Sequence, residues 1–450
     1  MIIHPNDNVE VREDGHKYAR RTIAKGENVI KYGMPIGHTT CEIAKGEHVH
    51  THNVTTNLTG RLEYEYAPEF ANVQIKCDRT FLGYRRADGQ VGIRNHIWII
   101  PTVGCVNALA RQLADECGGI ALTHPYGCSQ LGDDHEMTAN LLAAMVRNPN
   151  AGGVLVVGLG CENNTMESFK KRLGDTSLLN IRFLVAQDVA DEIAEGRRLV
   201  AELIANRPSR RSEVPVSELC IGLKCGGSDG FSGLTANPLV GRISDWLVGQ
   251  GGSAVLTEVP EMFGAETLLM KRCINREIFD KCVTMINDFK DYFLRHGQPV
   301  GENPSPGNKA GGITTLEDKS LGCVQKGGLS PVSDVLKYGE RVKTHGLTLL
   351  SAPGNDMVSS TALAAAGCQM ILFTTGRGTP FGTVVPTIKI ATNSALAEKK
   401  PQWIDWDAMR QHDTTELVDA ILGIASGEQN AKNEANHCQE IAIFKDGVTL

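Results

Sequence analysis

The chain has 450 residues, 41% of them hydrophobic and 22% charged, a soluble composition long enough for about two to four domains. A net charge of −7, without a basic run or an apolar run near the ~20 residues of a membrane span, excludes nucleic acid and membrane as partners. The leading Met1-Ile2-Ile3-His4-Pro5 has no basic-then-apolar signal pattern, and the thirteen cysteines are scattered and odd in number, which predicts a cytoplasmic address and mostly buried, reduced thiols.

Residues 1–58 contain a repeat. Thr22-Ile23-Ala24-Lys25-Gly26-Glu27-Asn28-Val29 returns as Glu42-Ile43-Ala44-Lys45-Gly46-Glu47-His48-Val49. Each copy reads as a Lys-Gly-Glu turn leading into a short strand, so a small all-β module is predicted. The second copy runs on through His50-Thr51-His52. Strand alternation puts His48, His50 and His52 on one face, which suits a metal site or a cationic substrate clamp, with a solvated polar face as the plain alternative. Residues 59–82 carry Pro68 among charged and aromatic residues of no sustained period and read as an extended linker.

From 83 to 207 strands and helices alternate. A tight turn at Asp88-Gly89 precedes a buried strand, Ile97–Ile100, and a helix from about Ala108 to Cys117. A short strand, Ile120–Thr123, leads to a helix over Asp133–Val146 with Asp133 and Asp134 at its start, Asp133 as a cap. Gly153–Gly158 is a further buried strand. The polar, proline-bounded Arg207–Pro215 marks a domain boundary.

The pattern restarts over 216–450. Strands are predicted at Leu219–Lys224, Ala254–Thr257, Thr348–Ala352, Met370–Thr374 and Glu440–Phe444. Helices are predicted at about 239–249, 276–296 and 413–426, and Glu258-Val259-Pro260-Glu261 reads as an acidic turn. Residues 301–330, poor in apolar side chains, read as a long irregular segment of functional character, with disorder as the alternative. The predicted fold class is α/β: a small N-terminal all-β module followed by two α/β units with largely parallel sheets.

The densest chemistry lies in His124-Pro125-Tyr126-Gly127-Cys128-Ser129-Gln130-Leu131-Gly132-Asp133-Asp134-His135, a run of acid/base and ligand-type groups with little to serve as core. Sheet ends in α/β proteins bind ligands. Here the glycine-rich loops read Gly127-Cys128, Gly160-Cys161, Cys225-Gly226-Gly227 and, on the irregular segment, Gly322-Cys323. Neither a dinucleotide fingerprint nor a phosphate loop is present. Four similar thiols do not single out one nucleophile. With three histidines and several carboxylates they suit a metal site better, while each cysteine alone is more simply a packed small hydrophobe.

The stretches GEHVHTHN, GYRRADGQVGIRN, PTVGCVN, YGCSQLGDDH, GLGCENN, CGGSDGFSGLTANP, VLTEVPEMFGAE, ENPSPGNKAGGITTLEDKSLGC and TTGRGTPFGTVVPTIKIATN are similar to those of the altronate/galactarate dehydratases of bacterial hexuronate and aldarate catabolism, along nearly the whole chain. The resemblance implies a hydro-lyase acting on a small sugar acid, here D-altronate to 2-keto-3-deoxy-D-gluconate, with Fe2+ as cofactor and Mn2+ as a substitute. It also implies a β-clip (SAF-like) N-terminal module. The partners expected are the sugar acid and a second copy of the chain, as a homodimer. Galactarate dehydration, a sulfolactate sulfo-lyase-like elimination and a non-enzymatic acidic-sugar binder are the alternatives.

By residue type and motif position, the expected catalytic set is His50, His52, His124, Asp134, His135 and Lys309, with Asn163, Asn308 and Arg377 on the substrate. Metal ligands are expected among His48, His50, His52, Cys128, Cys161, Cys225 and Cys323. Two metal arrangements compete: a mononuclear iron on histidine and oxygen ligands, and a labile iron–sulfur cluster on Cys128, Cys161, Cys225 or Cys323.

Overall fold

A computed structural model describes residues 1–447 and Thr449. The N-terminal module is built from β1 (Val9–Val11), β2 (Lys17–Ala19), β3 (Asn28–Lys31), β4 (Met34–Thr39), β5 (His48–Val49) and β6 (Val54–Thr55). They form two three-stranded antiparallel sheets, β1-β2-β5 and β3-β4-β6. The sequence repeat explains the arrangement. Glu27 accepts from the Ala24 amide and Glu47 from the Ala44 amide, so each copy closes the same turn, with Gly26 and Gly46 at φ 82° and 83°, where a side chain is disfavoured. The copies meet where Ile23 and Ile43 exchange both backbone hydrogen bonds at 2.9 Å. Val9, Val29, Ile36 and Val49 fill the core around them.

Residues 59–79 run over the C-terminal unit, docked by Leu62 against Asn287 and by Glu69 N–H to the Lys271 carbonyl. The chain then enters β7 (Thr80–Arg85) and β8 (Val91–Gly92). A parallel sheet follows from β9 (His96–Pro101), β10 (Ile120–Ala121), β11 (Ala151–Gly158) and β12 (Ile181–Val185), in the order β10-β9-β11-β12. Helices 107–117 and 192–206 cover one face through Leu113, Leu199 and Leu203, while helix 132–146 covers the other through Leu141, Leu142 and Met145. The polar joint is partly a strand: β13 (Ser212–Pro215) pairs antiparallel with β7.

The C-terminal unit is a seven-stranded parallel sheet of β14 (Cys220–Cys225), β15 (Ser253–Leu256), β16 (Val332–Leu336), β17 (Gly346–Leu350), β18 (Met370–Thr375), β19 (Thr387–Ala391) and β20 (Trp406–Asp407), ordered β16-β17-β15-β14-β18-β19-β20. Its central strands are buried throughout, as continuous apolar strands sandwiched between helices must be. The expected α/β architecture is therefore the one observed.

Four local expectations change. Residues 301–330 are not irregular: helices occupy Pro306–Ala310 and Leu316–Cys323, followed by a 3-10 turn. Residues 440–444 form no strand, because Ala442 and Phe444 donate to Thr361 Oγ1 and Tyr338 Oη rather than to a neighbouring strand. Helix 132–146 has Leu131 as its N-cap with no side-chain cap, and Asp133 and Asp134 lie in its first turn. The strand expected at Ile120–Thr123 stops at Ala121.

Candidate active site and metal centre

In the large sheet β14 lies at the middle. The chain moves from it to β15 on one side and returns to β18 on the other, which makes the carboxyl ends of β14 and β18 a topological switch point, where α/β sheets open a crevice. A cavity of about 580 Å³ lies there, lined by Cys225, Gly226 and Gly227 after β14, Glu261 after β15 and Asn355 and Asp356 after β17. Asn303, Asn308, Lys309 and Lys319 close it from the 301–323 segment. A Cβ at Gly226 would meet the buried Phe373 ring at 2.5 Å and the Asp356 carboxylate at 2.6 Å, so the position favours glycine.

Beneath the cavity lies a buried charge network. Lys319 Nζ donates to Glu261 Oε1 at 2.7 Å and to Asn303 and Asn308 at 3.1 and 3.3 Å. Lys326 donates to Glu258 at 3.0 Å, and Lys224 bridges Glu258 and, at 2.9 Å, Asp356. Three ammonium groups thus face three carboxylates, with the Cys225 amide donating to Glu258 as well. Burial pushes the Glu261 carboxyl up, but Lys319, Lys224 and Lys326 outweigh it and hold the group far below the carboxylate range. Burial and then the Glu261 charge leave Glu258 raised. Glu258 has φ 73°, an uncommon backbone for a non-glycine residue that a site must hold by its surroundings.

Cys225 and Cys323 bring their sulfurs to 3.2 Å of each other and to 3.1 and 3.2 Å of Glu261 Oε2. Among the described residues this is the one group of three ligand-type side chains whose donor atoms cluster within 4.8 Å. The hydrogen bond shared with Cys225, and then burial, push the Cys323 thiol well up. The set fits a metal ion. Donors on a tetrahedral ion at about 2.0–2.3 Å stand roughly 3.5–3.8 Å apart, so the three need to open by only about half an ångström. Two thiolates would balance a divalent charge in a network that is otherwise neutral. Glu261 Oε1 is already fixed by Lys319, the kind of outer contact that orients a metal ligand.

The β module abuts this wall. Lys17 and Lys31 donate to Asp318 at 2.7 and 2.9 Å, all three buried, and His50 Nδ1 lies 3.2 Å from Thr314 Oγ1. Strand β5 ends at Val49, so His50 and His52 sit on the turn that follows rather than on one strand face. Their rings still gather: His48 stands 5.4 Å from His50 and 5.5 Å from His52, centroid to centroid. His16 joins them, with Nδ1 3.0 Å from His48 Nε2. Burial, then the Lys17 and His48 charges, lower His50 to about 4, so its ring is neutral at pH 7.

The His124–His135 stretch belongs to the other sheet. His124 is buried with both nitrogens engaged by backbone, Nε2 with the Pro101 carbonyl at 2.8 Å and Nδ1 with the Tyr126 amide at 3.2 Å. Burial lowers it to about 4. Asp134 accepts the Asp446 and Gly447 amides at 2.8 Å each, pinning the C-terminal tail. His135 is half-buried with Nδ1 unpartnered among the described residues. Cys128, Cys161 and Asn163 are exposed on these loops, Asn163 accepting from the Ser129 amide. Of the four thiols, Cys128 and Cys161 follow strands of the smaller sheet, whereas Cys225, ending β14, and Cys323, ending helix 316–323, meet each other beside the cavity. Lys309 and Asn308 line that cavity. Arg377 is exposed beside it, its amide donating to the Gly227 carbonyl.

Sequence reasoning missed Glu261, Lys319, Lys224, Lys326 and His16. Only the acidic turn at 258–261 carried a visible signal.

Residues 216–449 match the family model described as D-galactarate/Altronate dehydratase, C-terminal, residues 83–207 match D-galactarate dehydratase/Altronate hydrolase, second domain, and residues 4–57 match the Altronate/galactarate dehydratase SAF domain. The chain is 56% identical to altronate dehydratase of Bacillus subtilis, over 98% of this chain and 94% of that one. It is 55% identical to altronate dehydratase of Escherichia coli, over 99% and 94%. Galactarate dehydratase (L-threo-forming) of Escherichia coli is 33% identical, over 94% and 83%.

Proposed function

Because the chain belongs to the altronate/galactarate dehydratase family, and is thereby a hydro-lyase, we propose that it converts D-altronate to 2-keto-3-deoxy-D-gluconate in hexuronate catabolism, with Fe2+, or Mn2+ in its place, as the metal. The observation that carries this reading is the switch-point cavity, where cationic and amide groups face a buried Cys225–Glu261–Cys323 donor set, in a chain more than half identical to two altronate dehydratases.

The hydrogen on carbon 2, beside the carboxylate, is weakly acidic, so its loss needs the developing charge shared among cations and donors. Lys309 lines the cavity with its ammonium unpaired among the described residues, and with Arg377 it is assigned to the substrate carboxylate. Asn303 and Asn308 are assigned to the hydroxyls. His50, neutral at pH 7, is assigned as proton acceptor and His52 as the acid. As the base takes the carbon 2 proton, the carbon–hydrogen electron pair moves into the carboxylate as an enediolate. That pair returns to form the carbon 2–carbon 3 double bond as the carbon 3–oxygen bond breaks; the departing oxygen is protonated to water, and the enol tautomerises to the 2-keto acid. A divalent ion on Cys225, Glu261 and Cys323 supplies Lewis-acid polarisation of a substrate oxygen when bound. The three units at 1–58, 83–207 and 216–450 are read as domains of a cytoplasmic homo-oligomer.

The test is anaerobic incubation with D-altronate, galactarate and sulfolactate under ferrous iron, followed by detection of 2-keto acid or sulfite. D-altronate is expected to give 2-keto acid fastest. Loss of water from none of them overturns the assignment, and a clear preference for galactarate, or sulfite release, moves it to a related elimination.

A further inference from the structure

The smaller parallel sheet has a switch point of its own. From β9 the chain goes to β10 on one side and to β11 on the other, so the loops after these three strands share one carboxyl edge, where ligands bind. Each loop bears a glycine followed by a cysteine: Gly104-Cys105, Gly127-Cys128 and Gly160-Cys161. All three thiols are exposed, although unpaired cysteine is among the most buried residue types.

The loops are bound into one surface. The Gly104 amide donates to the Tyr126 carbonyl at 2.8 Å, and the Asn164 amide donates to the Gly127 carbonyl at 3.0 Å. Thr102 Oγ1 donates to Glu162 at 2.7 Å and the Ser129 amide to Asn163 at 2.9 Å. Glycine makes this approach feasible: a Cβ on Gly104 would stand 2.9 Å from the His124 carbonyl, and Gly127 lies at φ 99°. Ser129, next to Cys128, is held at φ 59°, a strained backbone for a residue with a side chain and one that clusters at ligand sites. Gln130 Nε2 on the same loop is buried without a partner among the described residues, a donor free for an acceptor the protein does not supply.

Spacing selects the ligand class. Sulfurs on one tetrahedral ion at about 2.3 Å would stand roughly 3.8 Å apart. Cys225, Glu261 and Cys323 are the one donor group within 4.8 Å among the described residues, so the three loop sulfurs spread wider than a single ion allows. A body with several metal atoms, each taking one thiolate, does not require its three sulfurs to lie as close as donors on one ion. We propose that Cys105, Cys128 and Cys161 bind an iron–sulfur cluster through three thiolates, leaving one iron without a protein thiolate. The choice of iron rests on the proposed function; the three-thiol site does not.

Full-length protein, purified anaerobically and reconstituted with ferrous and ferric iron and sulfide, is assayed for iron, acid-labile sulfide and visible absorption. Cys105→Ser, Cys128→Ser, Cys161→Ser and the triple variant are compared with Cys225→Ser. Sulfide and absorption are expected in the wild type and in Cys225→Ser, with most lost in each single loop variant and all in the triple. Alkylation read by mass spectrometry is expected to find the three loop thiols protected only after reconstitution, which decides the matter without variants should the triple fail to fold. Iron bound without sulfide, sulfide retained by the triple variant, or loop thiols that stay reactive overturns the proposal. If D-altronate is still dehydrated in that case, the function stands and this inference alone fails. A cluster on these thiols in a protein that dehydrates no sugar acid keeps the three-thiol site and removes the proposed function.

Discussion

Replacing Asp318 by asparagine puts the hold between the β module and the C-terminal unit to a quantitative test. The carboxylate accepts from Lys17 at 2.7 Å, from Lys31 at 2.9 Å and from the Thr314 amide at 3.0 Å, with all three charged side chains no more than 3% exposed. Asparagine keeps the shape but removes the charge, leaving two ammonium groups in a dry interface. Removing one partner of a buried pair costs about 3–5 kcal/mol. A second route gives a similar ceiling. Burial already lowers Lys17 to about 8 against the pull of Asp318, and an unpaired lysine sheds its proton rather than stay charged. Doing so at pH 7 from an unperturbed value near 10.4 costs about 4–5 kcal/mol. That is a large part of a total stability of about 5–15 kcal/mol. Urea unfolding and limited proteolysis of residues 59–79 measure it, and proteolysis should quicken as the module loosens. Burial raises Asp318, but Lys17 and Lys31 outweigh it and hold the carboxyl below the usual range. The contribution is therefore present above the unfolded value near 4 and is lost as pH falls through the folded one. A loss under about 1 kcal/mol with unchanged proteolysis refutes the reasoning. Recovery in Lys17→Met/Lys31→Met/Asp318→Leu assigns the loss to unpaired charge rather than to packing.

Lys319→Met takes the cation from Glu261 and is expected to lower kcat on D-altronate by roughly 10²–10³; a fall under threefold in steady-state assays speaks against its role in holding Glu261 and the cavity wall. Lys309→Ala should lower kcat/KM by about 10–100-fold, the worth of one charged hydrogen bond, with the melting temperature unchanged. Chelation is expected to abolish turnover until ferrous iron is returned, and Cys323→Ala to lower bound metal by elemental analysis; full metal content in that variant moves the ion elsewhere. Burial lowers His124 to about 4, so the unfolded chain binds the extra proton first, and up to about 3 kcal/mol of stability is lost as pH falls from about 6.5 to 4. NMR titration checks this, and a midpoint near 6.5 removes it.

Much of the fold was legible because its strands are short apolar runs between glycines, as at Cys220–Cys225 and Met370–Thr375, and because helix 276–295 repeats apolar residues at helical spacing. Helix 316–323 defeated the same logic. Every residue in it is buried, yet Glu317, Asp318, Lys319 and Ser320 are polar, so no apolar stripe announces it. The histidine cluster was visible at His48, His50 and His52 but not at His16, which arrives from 32 residues away. Among the candidate donors expected from the sequence were Cys225 and Cys323, 98 residues apart, with nothing in their spacing to pair them or to add Glu261. Conversely, His124 and Asp134 carried the right chemistry and spend it on backbone groups. Which of two such histidines is free to react depends on its partners, and partners are set by tertiary contact.

Helix 316–323 also explains how separate units make one site. Residues 319 and 323 lie one turn apart and share a face, so Lys319 and Cys323 both reach Glu261, at 2.7 and 3.2 Å. Asp318 is rotated by about 100° from Lys319 and points instead to Lys17 and Lys31 of the β module. Thr314 and Gly312, just before the helix, meet His50 and Lys17, while Asn308 and Lys309 turn to the cavity. One continuous segment thus carries Cys323, one of the three candidate metal donors, and Lys319, which holds a second, on one side and the anchor of the histidine module on the other. A shift of this helix changes both at once, so the module's histidines and the Glu261 centre are registered to each other by covalent geometry rather than by chance docking. Asp318→Asn should on that account loosen more than the module: the Cys225 and Cys323 thiols should alkylate faster in the variant, and alkylation at the wild-type rate would confine Asp318 to anchoring alone.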